Sequence, residues 1–310
     1  AGQGGQASPI QDPTTEEILS SSNTSGLDFA GALAHARRVG LPALSKLTYA
    51  ERAEKLDLFA KAIHAKRDEL LELGTRTGGN TRSDAKFDID GAIVTLQGYG
   101  EIGAAIGEKR LLADGDAIQI GRSPRFVGQH VLTSRHGVAV HINAFNFPVW
   151  GMLEKLAPTF LAGVPAIVKP ASATSYLTEL AVKIMIEANV LPKGALQLVV
   201  GSTGDLFEHL TTQDVVSFTG SAATAAKLRM HPVITRESVR FVAEQDSLNA
   251  SMLGPDATPD SPELDLFVKE VAKEMTVKAG QKCTAIRRAL VPAKLLDAAQ
   301  AALAARLEKV

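Results

Sequence analysis

A single cysteine occurs in the sequence, and its neighbours are typical of a reactive thiol. Cys283 lies in the small-residue stretch 279–285, between a polar helical segment, 264–278, and a strand-like run, 286–291. A thiol on a turn between two regular elements can face a substrate at a fixed angle, whereas a packing cysteine normally lies within an apolar run. Cys283 is therefore a candidate nucleophile, and a small buried packing residue is the alternative.

Two further polar side chains follow apolar, strand-like runs. Asn146 comes shortly after residues 138–142, and Glu244 comes directly after residues 239–243. An asparagine amide next to a proline-fixed backbone can donate an N–H to a developing oxyanion. A carboxylate at the end of a strand can act as a general base, and Asp246 offers the same chemistry two residues later. The alternatives are a loop asparagine that satisfies its own turn and a solvent-exposed loop acid.

Glycine-containing turns follow two other predicted strands. Gly201-Ser202-Thr203-Gly204 follows strand 196–200, and Phe218-Thr219-Gly220-Ser221 closes strand 215–218. The pattern predicts that each turn opens a helix, where free N–H groups and the helix dipole favour a pyrophosphate. Neither turn is a complete Gly-x-Gly-x-x-Gly motif, and plain connections are the alternative. The predicted nucleotide contacts in these turns are Gly201, Gly204, Phe218, Gly220 and Ser221.

A lysine ends another predicted strand. Lys169 closes the run 164–169, and Pro170 fixes the backbone that follows. At such a position a lysine can pair with a ribose or a phosphate, although an isolated lysine is more often solvated. We therefore include Lys169 among the candidate nucleotide contacts.

The elements that carry these residues alternate regularly between strand and helix. Short apolar strands separated by helices are typical of a parallel sheet covered on both faces, so the sequence predicts a doubly wound α/β fold. Ligands bind such sheets at the carboxyl ends of the strands, where Asn146, Lys169, Glu244 and the two glycine-containing turns are found. Upstream, helices are predicted over 27–39 and from Thr48, with Glu51 completing a capping box. Short runs between residues 108 and 136 predict a projecting β-ribbon.

Composition excludes several classes of function. The chain has 33 Lys and Arg against 34 Asp and Glu, a formal net charge of -1, so charge gives no argument for nucleic acid or an anionic membrane as partner. One cysteine excludes an intrachain disulfide and a multi-cysteine metal site, which favours a reducing compartment. No apolar run reaches the roughly 20 residues of a membrane helix. We therefore expect a soluble, cytoplasmic protein with no metal site.

Taken in order, the motifs resemble those of the aldehyde dehydrogenase superfamily from about residue 9 to the end of the chain. The residues that carry the resemblance are Asn146, Lys169, Gly220, Ser221, Glu244 and Gly280-Gln281-Lys282-Cys283-Thr284. The resemblance implies that Cys283 is the nucleophile, that Asn146 helps form the oxyanion hole and that Glu244 activates water. It implies an NAD(P)-dependent enzyme that oxidises aldehydes.

The resemblance also assigns residues around the cofactor. Lys155, nine residues beyond the motif asparagine, tunes the site in many members. Lys169 lies before the adenosine pocket, and Ser221 meets a cofactor phosphate. Many NAD-preferring members carry a glutamate where this chain has Ser172. Because a serine does not repel a 2′-phosphate, we expect NADP to be preferred, with NAD possible.

A departure from the family pattern suggests the substrate. Most members follow the general base with Leu-Gly-Gly, whereas residues 245–249 read Gln-Asp-Ser-Leu-Asn. This variant resembles the branch that oxidises CoA-linked semialdehydes in aerobic aromatic degradation. We therefore expect an aldehyde substrate that carries a CoA thioester. The alternatives are a CoA-acylating aldehyde dehydrogenase, which Glu244 argues against, and a non-catalytic dinucleotide-binding protein.

The domain organisation follows from the same resemblance. Residues 1–243 are expected to form an NADP-binding domain with N-terminal helices and a ribbon that serves oligomerisation. Residues 244–310 are expected to begin a catalytic domain that carries the nucleophile. Members of the family continue well beyond the cysteine, so we expect the chain to be a segment of a longer protein. Family habit implies a homodimer or a higher homo-oligomer.

Overall fold

The computed structural model describes residues 6–310, which form two compact units. The first unit ends at Glu244, and the second is Gln245–Val310. Each unit has its own apolar core. The sequence prediction placed Glu244 at the start of the second domain, whereas this boundary falls just after it. The assignment of the units to nucleotide binding and catalysis stays a prediction.

Strands are distributed along the whole described chain. They are β1 (Ser8–Gln11), β2 (Ile18–Ser22), β3 (Leu112–Gln119), β4 (Val127–Leu132), β5 (Ala139–Ile142), β6 (Ala166–Lys169), β7 (Leu196–Leu198), β8 (Val215–Gly220), β9 (Arg240–Gln245), β10 (Ala250–Met252) and β11 (Arg288–Leu290).

Helices occupy most of the remaining residues. They are α1 (Phe29–His35), α2 (Leu41–Ser45), α3 (Tyr49–Ala65), α4 (Arg67–Gly78), α5 (Arg82–Ile106), α6 (Trp150–Leu161), α7 (Ser175–Glu187), α8 (Ala222–Arg229), α9 (Pro232–Arg236), α10 (Pro262–Thr276) and α11 (Leu296–Leu307). A π-helical turn, Ala36–Gly40, joins α1 to α2.

A five-stranded sheet with the order β7-β6-β5-β8-β9 organises the first unit. Strand β5 runs parallel to both β6 and β8, and β6 runs parallel to β7. The strand order therefore reverses at β5, which confirms the doubly wound α/β fold predicted from the sequence. Ile142, at the end of β5, lies opposite both Lys169 and Phe218. The carboxyl ends of β5, β6 and β8 consequently share one edge of the sheet.

Long helices cover this sheet and build the larger core. Apolar residues of α3, α5, α6 and α7 pack together and against β6, and the rings of Phe59 and Phe160 meet edge to face with centroids 5.6 Å apart. The predicted capping box at the start of α3 is confirmed: the Glu51 N–H donates to Thr48 Oγ1 at 3.2 Å, and the Thr48 N–H donates to Glu51 Oε2 at 2.7 Å. Helix α3 thus begins where the sequence predicts.

The β-ribbon predicted between residues 108 and 136 is confirmed. Strands β3 and β4 pair antiparallel, with Leu112 opposite Leu132 and Gln119 opposite Val127. Large apolar side chains remain exposed along this hairpin, among them Ile118 and Phe126.

The helix predicted after Gly204 is wrong. Only one 3-10 turn, Leu206–His209, follows, and the chain is already extended at Leu210. Leu206, Phe207 and Leu210 are buried, so their spacing imitates one face of a helix although each fills the core from a short turn. The glycine turn 201–204 therefore lacks the helix N-terminus that the prediction of a pyrophosphate site assumed.

The second unit is small and mostly helical. Strands β10 and β11 pair in parallel, and α10 packs on α11 around a core that includes Leu264, Phe267 and Leu295. Between α10 and β11 the chain forms a 3-10 turn, Val277–Gly280, and then the loop that carries Cys283.

Candidate functional site

The loop that carries Asn146 is anchored on both sides. Buried Asp88, on α5, accepts the backbone N–H groups of Val149 at 3.2 Å and of Trp150 at 2.8 Å, so it caps the start of α6. Upstream, the Thr174 hydroxyl donates to the carbonyl of Phe145 at 2.9 Å. A half-buried Asn146 side chain is thereby held at the carboxyl edge of the sheet.

Sequence reasoning missed the residues that anchor this loop. The Thr178 hydroxyl, on α7, adds a third anchor through the carbonyl of Pro148 at 2.9 Å. The available signal for Asp88 was its place in α5, where the helical period puts an acidic residue on the core face. A buried carboxylate needs hydrogen-bond donors, so such a residue is expected to hold a neighbouring backbone.

Lys169 and Asn143 meet at this edge. The Asn143 N–H donates to the Lys169 carbonyl at 3.0 Å, so the two strand ends are directly linked. The Lys169 ammonium donates to the Pro170 carbonyl at 3.0 Å, and burial lowers the pKa of this amine. Both carboxamide atoms of Asn143 are buried without a hydrogen-bond partner among the described residues. Ser172 is exposed at the start of a 3-10 turn.

The turn after β8 is the one glycine turn of the two that opens an α-helix. Ser221 caps α8 by accepting the Thr224 N–H at 3.3 Å. A Cβ added at Gly220 would lie 2.7 Å from the buried ring of Phe218, so the ring would have to shift to admit a larger residue there. This edge offers a half-buried lysine, a buried carboxamide without a partner among the described residues, and a helix N-terminus, a set of groups that fits a dinucleotide.

The turn at 201–204 requires glycine because two of its residues have positive φ angles. Gly201 has φ +130° and Gly204 has φ +47°, and a Cβ at Gly204 would lie 2.6 Å from the ring of Phe29. These glycines thus allow a sharp reversal against α1. Their predicted contact with a nucleotide stays a prediction.

Lys155 lies in a groove and not in the row of residues at the carboxyl edge. It projects from α6, and its ammonium pairs with Glu154 Oε1 at 3.3 Å. The groove has a volume of about 540 Å³ and reaches the first residues of β5, β8 and β9, Ala139, Val215 and Arg240. Its wall includes His141, whose Nε2 lies 3.1 Å from the Thr159 hydroxyl. Burial, reinforced by the nearby charge of Lys155, lowers the pKa of His141 to about 3.

Glu244 is the last residue of the first unit. It lies in β9 and not in the loop after it, and its side chain is exposed. The loop carboxylate expected from the sequence is thus a strand residue. Its role as a general base stays a prediction.

The Cys283 loop follows an unusual backbone in the second unit. Lys278, Ala279 and Gly280 have consecutive positive φ angles of 53°, 52° and 72°. Two non-glycine residues in the left-handed region store strain, and such strain concentrates at functional sites. Cys283 is exposed, so it is not a buried packing residue of this unit.

Three polar side chains hold this loop in place, those of Asn249, Arg287 and Glu274. The Asn249 carboxamide donates to the carbonyls of Cys283 and Ala285, the latter at 3.2 Å. The Arg287 guanidinium donates to the carbonyls of Gly280 at 3.3 Å and Lys282 at 3.2 Å. Lys282 is itself buried and paired with Glu274.

Sequence reasoning missed Arg287 and read Asn249 only as part of a substrate variant. The available signal was an amide and a guanidinium next to short strands on either side of the cysteine, where free loop carbonyls need donors.

Comparison with known proteins identifies the family. The family model described as "Aldehyde dehydrogenase family" matches residues 2–310. The chain belongs to the aldehyde dehydrogenase family. The chain is 49% identical over 303 residues to 3,4-dehydroadipyl-CoA semialdehyde dehydrogenase of Aromatoleum evansii. The alignment covers 98% of the chain and 59% of that protein. It is 30% identical over 299 residues to glutarate-semialdehyde dehydrogenase of Pseudomonas aeruginosa, which covers 95% of the chain and 58% of the relative.

Solved structures of similar proteins share the fold. Betaine aldehyde dehydrogenase of Staphylococcus aureus, in complex with NAD+, superposes with a TM-score of 0.85 at 23% identity and covers 98% of this chain and 58% of its own. An NADP dependent enzyme of E. coli gives a TM-score of 0.84 at 26% identity and covers 98% and 60%. The chain therefore spans about three fifths of the length of the relatives it matches. Among residues 6–310, no helix is long and apolar enough to span a bilayer.

Proposed function

We propose that this aldehyde dehydrogenase family protein oxidises an aldehyde to a carboxylic acid with NADP, through a covalent intermediate on Cys283. The observation that carries the proposal is an exposed cysteine on a strained, externally anchored loop, in a chain that matches the family over nearly its whole length. An exposed thiol with a fixed backbone is what a nucleophile that attacks a carbonyl needs.

Each candidate residue has a distinct part in the proposed reaction. Cys283, as a thiolate, attacks the carbonyl carbon, and the Asn146 amide and the Cys283 backbone N–H donate hydrogen bonds to the oxyanion. NADP, when bound, supplies the oxidant that converts the thiohemiacetal on Cys283 to a thioester. Glu244 then takes a proton from the water that hydrolyses the thioester and releases the acid. Lys155 is proposed to tune the electrostatics of the site from its groove.

The substrate proposed is a CoA-linked semialdehyde, such as 3,4-dehydroadipyl-CoA semialdehyde. The support is the 49% identity to the Aromatoleum evansii protein of that name, together with the Gln-Asp-Ser-Leu-Asn sequence at 245–249. In this sequence Asn249 anchors the Cys283 loop, which ties the variant to the nucleophile.

Replacement of Cys283 by alanine tests the chemistry. In the full-length protein, Cys283→Ala should abolish NADPH formation from any aldehyde and should leave NADP binding unchanged. Mass spectrometry of wild-type protein mixed with substrate and NADP, and quenched during turnover, should show an acyl adduct on Cys283, which is missing from the variant. NADPH formation by Cys283→Ala at the wild-type rate would refute the proposal. Formation of a new acyl-CoA from added free CoA would instead favour a CoA-acylating enzyme.

The preference for NADP is proposed from Ser172 and Lys169. Ser172 puts no carboxylate near the ribose that Lys169 is proposed to contact, so a 2′-phosphate meets no repulsion there. Ser172→Glu should lower kcat/KM for NADP by roughly 5-fold or more, because like charges a few ångströms apart repel by about 1 kcal/mol or more. Ser172→Gln, of similar size and neutral, is the matched control. Equal effects of the two substitutions on NADP would contradict the proposal.

The hairpin formed by β3 and β4 is proposed to contact a second copy of the protein. Its exposed Ile118, Ile120 and Phe126, between 58% and 70% accessible, form an apolar strip that is unusual on a free surface. Sedimentation of the full-length protein should give a dimer or larger species, and Ile118→Lys with Phe126→Lys should reduce its size. A wild-type monomer would refute this part of the proposal.

A further inference from the structure

The peptide bond between Lys282 and Cys283 joins two groups with different tasks. Its nitrogen belongs to the nucleophile, and the proposed function assigns that N–H to the oxyanion. Its oxygen is the Lys282 carbonyl, which accepts the Ala285 N–H at 3.2 Å and the Arg287 guanidinium at 3.2 Å. A carbonyl oxygen has two lone pairs, so these two donors can occupy both. The oxygen side of this peptide is therefore fixed in direction.

A fixed carbonyl also fixes the N–H of the same peptide. The atoms of a peptide unit lie close to one plane, and in the trans form the C=O and N–H bonds point in opposite directions. Rotation of the Lys282 carbonyl away from its donors would turn the Cys283 N–H with it. The groups that hold the Lys282 carbonyl thus set the direction of the Cys283 N–H.

Arg287 is held where it can act in this way. Its guanidinium Nη2 donates to the carbonyls of Gly280 at 3.3 Å and Lys282 at 3.2 Å, so one nitrogen holds two carbonyls in the segment before Cys283. The Arg287 backbone N–H donates to the Asn249 carbonyl at 2.9 Å, next to the paired strands β10 and β11. The guanidinium therefore extends from a fixed base, and its planar shape limits the directions in which it donates.

The Lys282 residue itself is held from two further directions. Its ammonium lies 2.7 Å from Glu274 Oε1, and the two side chains are only 7% and 15% exposed. Its backbone N–H donates to the Gly280 carbonyl at 2.9 Å. With the Lys282 Cα fixed by these contacts, the main remaining freedom of the next peptide is rotation about ψ of Lys282. The contact with Arg287 restricts that rotation.

Stability alone does not explain this use of Arg287. The residue is exposed, and at such a position water can also donate to loop carbonyls, so the arginine contributes little to the free energy of unfolding. Water molecules exchange, whereas a guanidinium on a fixed base keeps one direction. Direction matters at a nucleophile, because a misplacement of about 1 Å can lower a rate about 100-fold.

We infer that Arg287 is a positioning residue for aldehyde oxidation, which holds the Lys282 carbonyl and thereby directs the Cys283 N–H at the oxyanion. The inference rests on the proposed function, in which the Cys283 thiolate adds to the aldehyde. In that step the S–C bond forms, and the π electrons of the carbonyl move onto its oxygen. The oxyanion then accepts hydrogen bonds from the Asn146 amide and the Cys283 N–H. Arg287 acts through the peptide and not by contact with the substrate.

Two reactions of Cys283 separate this role from general support of the loop. Aldehyde oxidation passes through an oxyanion, whereas alkylation by iodoacetamide forms the S–C bond with loss of iodide and forms no oxyanion. The test uses the full-length protein, with NADP and the CoA thioester of adipic semialdehyde for oxidation. Alkylation is followed by mass spectrometry of the peptide that contains Cys283.

Arg287→Met removes the donor and keeps a side chain of similar length. It should lower kcat/KM for the aldehyde roughly 10-fold to 100-fold, because complete loss of an oxyanion donor costs roughly 100-fold to 1,000-fold and a turned donor is lost only in part. The alkylation rate of Cys283 should stay within about 3-fold of wild type, because it depends on the exposure and charge state of the thiol.

Two further variants control for charge and for the loss of any guanidinium. Arg287→Lys keeps a positively charged donor without the planar fork, so it should recover part of the lost kcat/KM and still fall short of wild type by roughly 3-fold or more. Arg306→Met removes a guanidinium of the same unit that pairs with Asp265 at 3.0 Å and does not donate to the loop. It should leave both reactions at wild-type rates.

Each outcome supports or overturns the inference. Equal losses of oxidation and alkylation in Arg287→Met would show that Arg287 supports the loop or tunes the charge of the thiol, and would overturn it. Should Arg287→Met fail to fold by circular dichroism, oxidation by Arg287→Lys at the wild-type rate would overturn it. Aldehyde oxidation that Cys283→Ala abolishes and Arg287→Met retains would overturn the inference alone. A wild-type protein that is alkylated but oxidises no aldehyde would refute the proposed function, and the inference with it.

Discussion

Mild acid should destabilise the first unit through one buried side chain, His141. The imidazole is buried on β5, and among residues 6–310 only its Nε2 has a hydrogen-bond partner, the Thr159 hydroxyl. Burial lowers the pKa of His141 from 6.5 to about 3, so the folded unit keeps the ring neutral in conditions where the unfolded chain protonates it. The unfolded state therefore binds more protons, and stability falls as the pH drops below 6.5.

The size of the effect follows from these two pKa values. Between about pH 7.5 and about pH 5, linkage gives a loss of about 2 kcal/mol of unfolding free energy from His141 alone. The loss continues to grow until the pH reaches the folded pKa of about 3. A loss of 2 kcal/mol is a sizeable part of the stability of a typical domain, roughly 5–15 kcal/mol.

Urea unfolding followed by tryptophan fluorescence measures this loss, with Trp150 as a reporter in the first unit. His141→Gln can still hydrogen-bond Thr159 but does not titrate, so it is the matched control. Other titrating groups contribute equally to both proteins and cancel on subtraction. Wild type should lose about 2 kcal/mol more than the variant between the two pH values. Parallel pH profiles for the two proteins would refute the reasoning.

Two further substitutions test the anchors of the site. Asp88→Ala removes the acceptor for the N–H groups of Val149 and Trp150, so it should lower the unfolding free energy by about 2–4 kcal/mol and reduce kcat. Asp88→Asn keeps an acceptor and should lose less unfolding free energy. A loss below about 0.5 kcal/mol in Asp88→Ala, measured by urea unfolding, would contradict the capping role. Asn249→Ala frees the Cys283 carbonyl and should lower kcat for NADPH formation on the order of 10-fold to 100-fold, without weakening NADP binding measured by fluorescence titration. Leu248→Ala, at an exposed neighbour, is the control, and equal kcat values for the two variants would exclude Asn249 as a positioning residue.

Local sequence patterns were sufficient where the cause is itself local. The capping box at Thr48 depends on two side chains three residues apart, and the parallel sheet depends on short apolar strands separated by helices. The exposed turn of Cys283 could be predicted because small residues stand between a helix and a strand.

Prediction failed where a pattern has two physical origins. Leu206, Phe207 and Leu210 have helical spacing, yet they fill the core from a 3-10 turn because Gly201 and Gly204 reverse the chain sharply against α1.

The sequence by itself determined which residues are able to take part in the proposed chemistry. The thiol, the carboxamide and the carboxylate are fixed by residue type and can be read in order along the chain. Only the tertiary structure decided what holds them. Asp88 reaches the Asn146 loop from a helix some sixty residues away, and Asn249 reaches the Cys283 loop across 34 residues. Such contacts depend on which distant parts of the chain fold together. A hydrogen bond acts over about 3 Å, and the local sequence around one partner does not identify the other.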